Sequence, residues 1–252
     1  MTPLLILSLC VVIVATSFLS GLFGMAGGMI LIGVLLAALP LPTAMVLHAV
    51  TQMASNGWRA LLWWRYVRWR PVAAYVTGCG VALAAWSLAR YVPDTPTALV
   101  LLGVTPFGAR LMPAGLKPDP GRALHGVVYG TICMALMLVT GVAGPLVDTF
   151  FLGGRLDRRE IVATKAMCQI ASHGLKLGYF GGVIDQAATL DPAFAALAIL
   201  AAMLGTVLAR RFLEAMTDTQ YRLWANRLIT AVAGYFVAHG TWLLLIAKVL
   251  AR

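Results

Sequence analysis

The sequence predicts an all-α integral membrane protein with about eight to ten membrane segments, arranged as two inverted-topology repeats with short, glycine-interrupted helices. Three observations support this fold class. Of the 252 residues, 61% are hydrophobic and 11% are charged, far from the roughly 45–50% and 25% of soluble domains. Apolar runs long enough to cross a bilayer alternate with glycine, proline and charge clusters. Two stretches of the chain also match each other without gaps at an offset of 117 residues.

Ten segments follow from the places where the apolar runs stop. The opening run precedes the first basic residue, Arg59, so it lacks the basic start of a signal peptide and is expected to be a retained membrane helix. The second and seventh segments are too short to span a membrane alone, and each follows a glycine-rich break where the backbone can leave helical geometry. The predicted segments are 3–23, 26–39, 43–63, 71–89, 96–112, 122–140, 143–153, 159–181, 192–209 and 224–247.

The basic residues set the predicted orientation, because cytoplasmic loops of membrane proteins carry an excess of Lys and Arg. Arg90, Lys248 and Arg252 lie on one side, so both termini are expected to face outward. The formal charge of +10 could suggest a nucleic-acid ligand, but this function is excluded because the basic residues are spread over four loops. The loops after segments three, five, seven and nine hold the other fourteen loop cations: Arg59, Arg65, Arg68, Arg70, Arg110, Lys117, Arg122, Arg155, Arg158, Arg159, Arg210, Arg211, Arg222 and Arg227.

No cofactor, metal site or enzymatic activity is predicted. The four cysteines lie singly in apolar runs and are interpreted as packing thiols. The sequence has no H-E-x-x-H zinc motif and no G-x-S-x-G nucleophile motif, and the neighbours Ser172 and His173 point in different helical directions. His125 and His239 stand alone on apolar helices and are interpreted as packing histidines.

The internal match covers 24–59 against 141–176, with ten identities in 36 positions. Segment three has its basic cluster at its C-terminal end and segment eight at its N-terminal end, so the equivalent helices are expected to cross in opposite directions. Residues 1–117 and 118–252 are therefore predicted to be the first and second inverted repeats of one membrane domain. Shared small-residue packing alone would explain the glycines but not the match of Gln52 with Gln169. Such repeats are typical of secondary transporters with a midplane site between the halves.

Two polar stripes at helical spacing are the candidate binding surfaces. A polar side chain facing lipid is costly, so both stripes should face inward. Lys165 and His173 are expected to lie deepest, whereas Arg59 and Lys176 could instead extend to the membrane interface. Because the stripes contain cations and histidines but no carboxylate, they predict an anionic ligand. Segment three contributes His48, Gln52, Ser55, Asn56 and Arg59, and segment eight contributes Lys165, Gln169, Ser172, His173 and Lys176.

The glycine breaks would aim backbone N–H groups and positive helix ends at such an anion, although close helix packing is an alternative reason for the glycines. Asp148 lies inside an apolar run and is expected either to pair with Lys165 or His173 or, like His173 itself, to carry a coupling proton. The predicted substrate-binding residues are Gly27, Gly28, His48, Gln52, Asn56, Arg59, Gly144, Lys165, Gln169, His173 and Lys176.

Residues 21–30, Gly-Leu-Phe-Gly-Met-Ala-Gly-Gly-Met-Ile, precede a polar-striped helix, and a second copy of this pattern ends in Lys-Leu-Gly-Tyr-Phe-Gly-Gly. In both halves the chain resembles the sulfite exporter TauE/SafE family of membrane transporters. Ala26 and Ala143 depart from the glycine that is common at those places. The family's glycine-break positions correspond to Gly24, Gly27, Gly28, Gly141, Gly144 and Pro145.

The resemblance implies transport of sulfite, a sulfonate such as sulfoacetate, or a related sulfur-containing anion across the bacterial inner membrane. Combined with the repeats, it predicts a multi-pass secondary transporter that works by alternating access with its site between the repeats. A passive anion channel and a transporter of another small carboxylate or oxyanion are the alternatives. A coupling ion, H⁺ or Na⁺, and a homodimer are compatible with the sequence.

Overall fold

The structure, a computed structural model, describes residues 2–23, 25–113, 118–152, 156, 158–184, 190–215 and 218–250. These residues form ten α-helices, a short 3₁₀ turn at Trp64–Tyr66 and a π-helical turn at Tyr179–Val183. The helices are α1 (Pro3–Phe23), α2 (Met25–Ala38), α3 (Leu41–Trp63), α4 (Trp69–Ala89), α5 (Thr95–Arg110), α6 (Ala123–Thr140), α7 (Gly144–Leu152), α8 (Arg158–Gly178), α9 (Pro192–Ala215) and α10 (Asp218–Leu250).

Local sequence signals account for several helix ends. Pro42 lies in the first turn of α3, where its missing N–H has no intrahelical partner to lose. The Asp94 side chain caps α5 by accepting a hydrogen bond from the Thr97 backbone N–H at 2.8 Å. Gly141 ends α6 with a φ of 85°, in the left-handed region that a side chain disfavours. The glycine break before α7 is thus a helix C-cap.

The ends of α1 to α7 and the starts of α8 and α9 lie within two residues of the predicted boundaries, and the predicted segment 192–209 coincides with the apolar stretch of α9. The remaining helix ends differ from the predicted segment ends. The α8 segment ends at Gly178 and continues as the π-helical turn, α9 reaches Ala215 rather than 209, and α10 begins at Asp218 rather than 224. The prediction for α9 stopped at the charged pair after Ala209. Charges mark where a helix leaves the hydrocarbon, whereas the backbone can stay helical beyond that level.

Within the residues that the structure describes, five stretches are long and apolar enough to cross a membrane: α1, α4, α6, residues Pro192–Ala209 of α9 and Asn226–Val249 of α10. Helices α2 and α7, with 14 and 9 residues, are too short to span the bilayer alone. Together with its almost wholly helical secondary structure, this makes the protein an all-α, multi-pass membrane protein, as predicted. Gly24, Lys117, Arg155 and Arg252 lie outside the described residues.

Helix pairing follows a two-fold pattern. The most extensive contacts are α4 with α6, α1 with α9, α3 with α8 and α5 with α10. If α1–α5 correspond in order to α6–α10, the α1–α9 contact maps onto α6–α4, and the other two pairs map onto themselves. This pairing supports the assignment of 1–117 and 118–252 as repeats, which stays a prediction. It also places α3 and α8, the two polar-striped helices, against each other at the centre.

The cysteines and the two single histidines that were interpreted as packing residues are all buried or half-buried. Cys79, Cys133 and Cys168 are buried free thiols, and Cys10 is half-buried and free. His125 Nδ1 accepts a hydrogen bond from the Asp119 backbone N–H at 3.0 Å. The His239 ring stacks on Tyr235.

Candidate functional site

The polar stripes of α3 and α8 face each other in the interior. The His48 and His173 rings lie 5.4 Å apart between centroids, and both side chains are buried. Part of each stripe has a packing role. Ser55 Oγ lies 2.9 Å from the Thr206 hydroxyl on α9, and Ser172 Oγ donates to the Cys168 carbonyl at 3.0 Å. The remaining residues of the two stripes form a polar surface between α3 and α8.

A small polar cavity lies between these helices and the two short ones. Helix α2 contributes Gly28, and the start of α7 contributes Gly144 with the link residues before it. The cavity therefore lies where both glycine breaks meet both polar stripes. Its lining consists of Gly28, Gln52, Asn56, Arg59, Val142, Ala143, Gly144, Lys165, Gln169 and His173.

Among the lining residues that are no more than 7% exposed, three polar atoms have no hydrogen-bond partner within the described part of the chain. They are Gln52 Nε2, Asn56 Oδ1 and His173 Nδ1. A buried polar group without a partner costs about 1–3 kcal/mol. A ligand with several hydrogen-bonding atoms in the cavity would remove this cost.

An ion pair flanks the cavity. Lys165 on α8 binds the Asp148 carboxylate on α7, and their side chains are 17% and 24% exposed. Of the two partners proposed for Asp148 from the sequence, the structure selects Lys165. The ammonium group of Lys165 has three donors, so it can hold this carboxylate and still offer N–H groups to a ligand.

A second polar layer closes the interior side of the cavity. Lys176 Nζ lies 2.8 Å from His48 Nδ1 and donates to the Gly141 carbonyl at 2.9 Å, while His48 Nε2 lies 3.0 Å from the Gly28 carbonyl. Because a carbonyl only accepts, Nε2 carries the imidazole proton and Nδ1 accepts from the lysine. Lys176 and His48 are fully buried, so the interface-facing alternative for Lys176 is wrong. Lys176 is fully buried, whereas the Lys165 side chain is 17% exposed.

The two neighbouring glycines of α2 have different surroundings. A Cβ on Gly27 would lie 1.9 Å from the Thr16 carbonyl oxygen, so this glycine allows α2 to pack closely on α1. A Cβ on Gly28 would lie 3.3 Å from Gln52 Oε1, at the cavity. Gly27 therefore has the packing role that the sequence offered as an alternative, and Gly28 faces the candidate site.

Eight of the eleven predicted binding residues line the cavity: Gly28, Gln52, Asn56, Arg59, Gly144, Lys165, Gln169 and His173. His48 and Lys176 form the layer behind it, and Gly27 faces α1. Val142 and Ala143 also line the cavity, although the sequence did not predict them as binding residues. Their position between the two glycines of the second break was the available signal, because a chain that leaves helical geometry there exposes its backbone to the centre.

The sequence matches the family model described as sulfite exporter TauE/SafE over residues 9–236. The match covers most of the chain, including both glycine breaks and both polar-striped helices. The chain belongs to the sulfite exporter TauE/SafE family. No curated protein and no solved structure matches it significantly. Membership identifies a membrane transporter of sulfur-containing anions, consistent with the multi-pass fold of this TauE/SafE member.

Proposed function

We propose that the protein is a secondary transporter that moves sulfite, or an organosulfonate such as sulfoacetate, across the bacterial inner membrane by alternating access. The cavity between α2–α3 and α7–α8 is its binding site. The observation that carries this proposal is the convergence of cationic and amide side chains from α3 and α8, with unpartnered polar atoms, on one enclosed space. In membrane transporters such sites lie between the halves, beside interrupted helices.

The charge of the lining favours an anion. Arg59 and Lys165 are cationic, and among the described lining residues none is a carboxylate. Asp148 flanks the cavity but is bound to Lys165. Amide donors such as Gln52 Nε2 and the backbone at the start of α7 can add hydrogen bonds to an oxyanion. The site thus combines net positive charge with neutral donors.

One lining atom fits an anion that still carries a proton. Asn56 donates its amide N–H to the Gln52 carbonyl at 2.9 Å, which leaves Oδ1 as an acceptor without a partner among the described residues. An acceptor repels a fully ionised oxyanion but can bind the O–H of hydrogensulfite. This atom therefore favours the singly charged form of sulfite as the bound species.

The closed interior side supports a carrier over a passive channel. Exposure falls from the half-buried Arg59 and Gln169 at one end of the site to the fully buried Lys176 and His48 at the other. A channel needs a path that is open at both ends, whereas a carrier exposes its site to one side at a time. Reconstituted vesicles should show substrate-saturable sulfite flux that responds to an imposed H⁺ or Na⁺ gradient. A non-saturating conductance that ignores both gradients would reject the carrier.

Replacing Lys165 tests the site directly. Lys165→Ala should weaken sulfite binding by about tenfold or more, because a partly desolvated charge-assisted contact is lost. The measurement is the sulfite concentration that raises the melting temperature of the purified protein, with sulfate, sulfoacetate, taurine, phosphate and acetate compared in parallel. Arg65→Ala is the matched control, since Arg65 stacks on Trp64 away from the cavity. Equal effects of the two substitutions would refute the site assignment.

A further inference from the structure

The layer behind the cavity joins the two glycine breaks of the chain. Lys176 binds the Gly141 carbonyl before α7, and His48 binds the Gly28 carbonyl of α2. Since Lys176 also binds His48, one hydrogen-bonded chain links the break in each half. All of these polar atoms lie in the buried interior. We call this chain the Lys176–His48 latch.

The internal repeat gives the Lys176–His48 latch a counterpart at the other end of the cavity. At the offset of 117 residues, Lys176 corresponds to Arg59 and His48 corresponds to Lys165. Arg59 and Lys165 line the cavity and are half-buried, whereas Lys176 and His48 are fully buried. The cavity is therefore open at the end with Arg59 and Lys165 and closed at the other. The asymmetry between equivalent pairs is what one conformation of an alternating-access protein presents.

The two ends differ in one chemical respect. His48 offers an acceptor nitrogen to Lys176, but neither Lys165 nor Arg59 has an acceptor, so those two cannot bind each other directly. Asp148, bound to Lys165, supplies the missing acceptor. The residue that corresponds to Asp148 in the first half is Leu31, a buried apolar side chain. At this pair of equivalent positions, the carboxylate is therefore present only in the second half, where lysine replaces the histidine. The ion pair of Lys165 with Asp148 thus supplies at the open end of the cavity the acceptor that His48 supplies at the closed end.

We infer that Arg59 and the Lys165–Asp148 ion pair form a second latch, which closes the open end of the cavity when the Lys176–His48 latch opens. This inference rests on the proposed function. Asp148 is then a positioning residue that receives Arg59 on closure. Its predicted alternative role, carrying a coupling proton, is not needed to explain why the carboxylate is there.

A reporter cysteine tests the Lys176–His48 latch without any substrate. Val142→Cys lies on the cavity lining, and in vesicles of either orientation it should react with a membrane-impermeant maleimide from one side only. His48→Leu should make the reporter react from the second side at least about tenfold faster, because the equilibrium shifts toward opening. His48→Gln should leave labelling one-sided, since the amide can still accept from Lys176 and donate to Gly28.

Two controls accompany the labelling. Lys248→Ala removes an exposed lysine near the end of α10, and the chain without the reporter gives the background from the native cysteines. One-sided labelling of the His48→Leu variant would overturn the latch. Because labelling needs no sulfite, this outcome is separate from a failure of the proposed function, in which the native chain would neither bind nor transport sulfite.

A double substitution tests the second latch. Lys165→His combined with Asp148→Leu gives the open end the chemistry of the closed end. At saturating sulfite, where a weaker affinity does not limit the rate, each single substitution should lower sulfite exchange in vesicles by at least about tenfold, since it leaves one partner of a partly buried charge pair alone. The double variant should exceed both single variants, a coupling that double-mutant cycles detect. Asp119→Asn, at a side chain that is 49% exposed and does not line the cavity, is the control for loss of a carboxylate. The second latch would be overturned if the double variant exchanged sulfite no faster than Asp148→Leu does. It would also be overturned if Asp148→Leu alone exchanged sulfite at the wild-type rate.

Discussion

At the scale of single residues, adjacent positions on one helix can have unrelated roles. Successive residues of an α-helix point about 100° apart. Gly27 therefore contacts the backbone of α1 while its neighbour Gly28 faces Gln52 at the cavity. The pair of glycines was predicted to act together, but only the second lies at the site.

Substituting each glycine separates the two roles. Gly27→Ala should lower stability by about 1–3 kcal/mol or more, because the new methyl group would overlap the Thr16 carbonyl and α2 would be pushed from α1. Gly28→Ala should leave the melting temperature of the ligand-free protein nearly unchanged while weakening sulfite binding by about tenfold, since its methyl group displaces the Gln52 amide. Thermal unfolding with and without sulfite measures both effects. The prediction fails if Gly28→Ala destabilises the protein as much as Gly27→Ala does.

The lining of the cavity was largely predictable because polar side chains cannot face lipid, so their helical spacing identifies the inward face. The burial of Lys176 was not predictable. Lys176 lies near the end of α8, where a lysine can usually reach the membrane interface. Its burial depends on two acceptors that arrive from other segments, His48 on α3 and the Gly141 carbonyl. No pattern within α8 contains that information.

At the scale of elements, glycines set how closely the helices approach. A Cβ on Gly78 of α4 would lie 2.0 Å from the Val127 carbonyl of α6, and one on Gly130 of α6 would lie 2.0 Å from the Tyr75 carbonyl of α4. The equivalent pair of α1 and α9 has the same device, with Gly205 against the Val14 carbonyl. Small residues at helix contacts are the usual means by which membrane helices pack backbone to backbone.

A matched pair on α4 tests this packing. Gly78→Ala should destabilise the protein by about 1–3 kcal/mol through overlap with α6. Gly80, two residues along the same helix, has no atom within 4 Å of its Cβ position. Gly80→Ala should therefore be neutral or stabilise by up to about 1 kcal/mol, the helix-propensity difference between alanine and glycine. Thermal unfolding in detergent compares the two, and a loss of stability from both variants would contradict the assignment.

Helix boundaries were predictable where the chain itself stops a helix. Pro42, Asp94 and Gly141 act through their own backbone or side-chain chemistry, so α3, α5 and α6 begin or end close to the predicted places. In α9 and α10 the charges marked the ends of the apolar stretches, Pro192–Ala209 and Asn226–Val249, to within two residues. Both helices extend beyond these stretches, because charges report the level of the membrane rather than the end of the backbone hydrogen bonding. The π-helical turn after Gly178 had no signal in the sequence pattern.

At the scale of the whole molecule, the two predicted repeats are interlocked. The first helix of each half packs on the fourth helix of the other half, as α1 does on α9 and α6 on α4. The third helices, α3 and α8, meet in the centre. Each half therefore supplies walls to the other, and the cavity has lining residues from both. We expect neither half alone to form the site.

If the halves are inverted, as the sequence predicts, equivalent helix ends should lie on opposite sides of the membrane. Arg65 follows the C-terminal end of α3, and Gly182 follows the C-terminal end of α8. Because the positive-inside pattern places the basic end of α3 in the cytoplasm, Arg65→Cys should react with an impermeant maleimide only from the cytoplasmic side. Gly182→Cys should react only from the opposite side, and its Cβ position has no atom within 4 Å, so the substitution fits.

Labelling in inside-out and right-side-out vesicles measures this directly, with the unsubstituted chain as background. Opposite sidedness follows only if α3 and α8 cross the membrane in antiparallel directions, which is the property that lets one latch face each side of the membrane. Two-fold-related helices crossing in the same direction would instead put both reporters in the cytoplasm. That result would make the repeats parallel and would remove the equivalence between Arg59 with Lys165 at one end and Lys176 with His48 at the other.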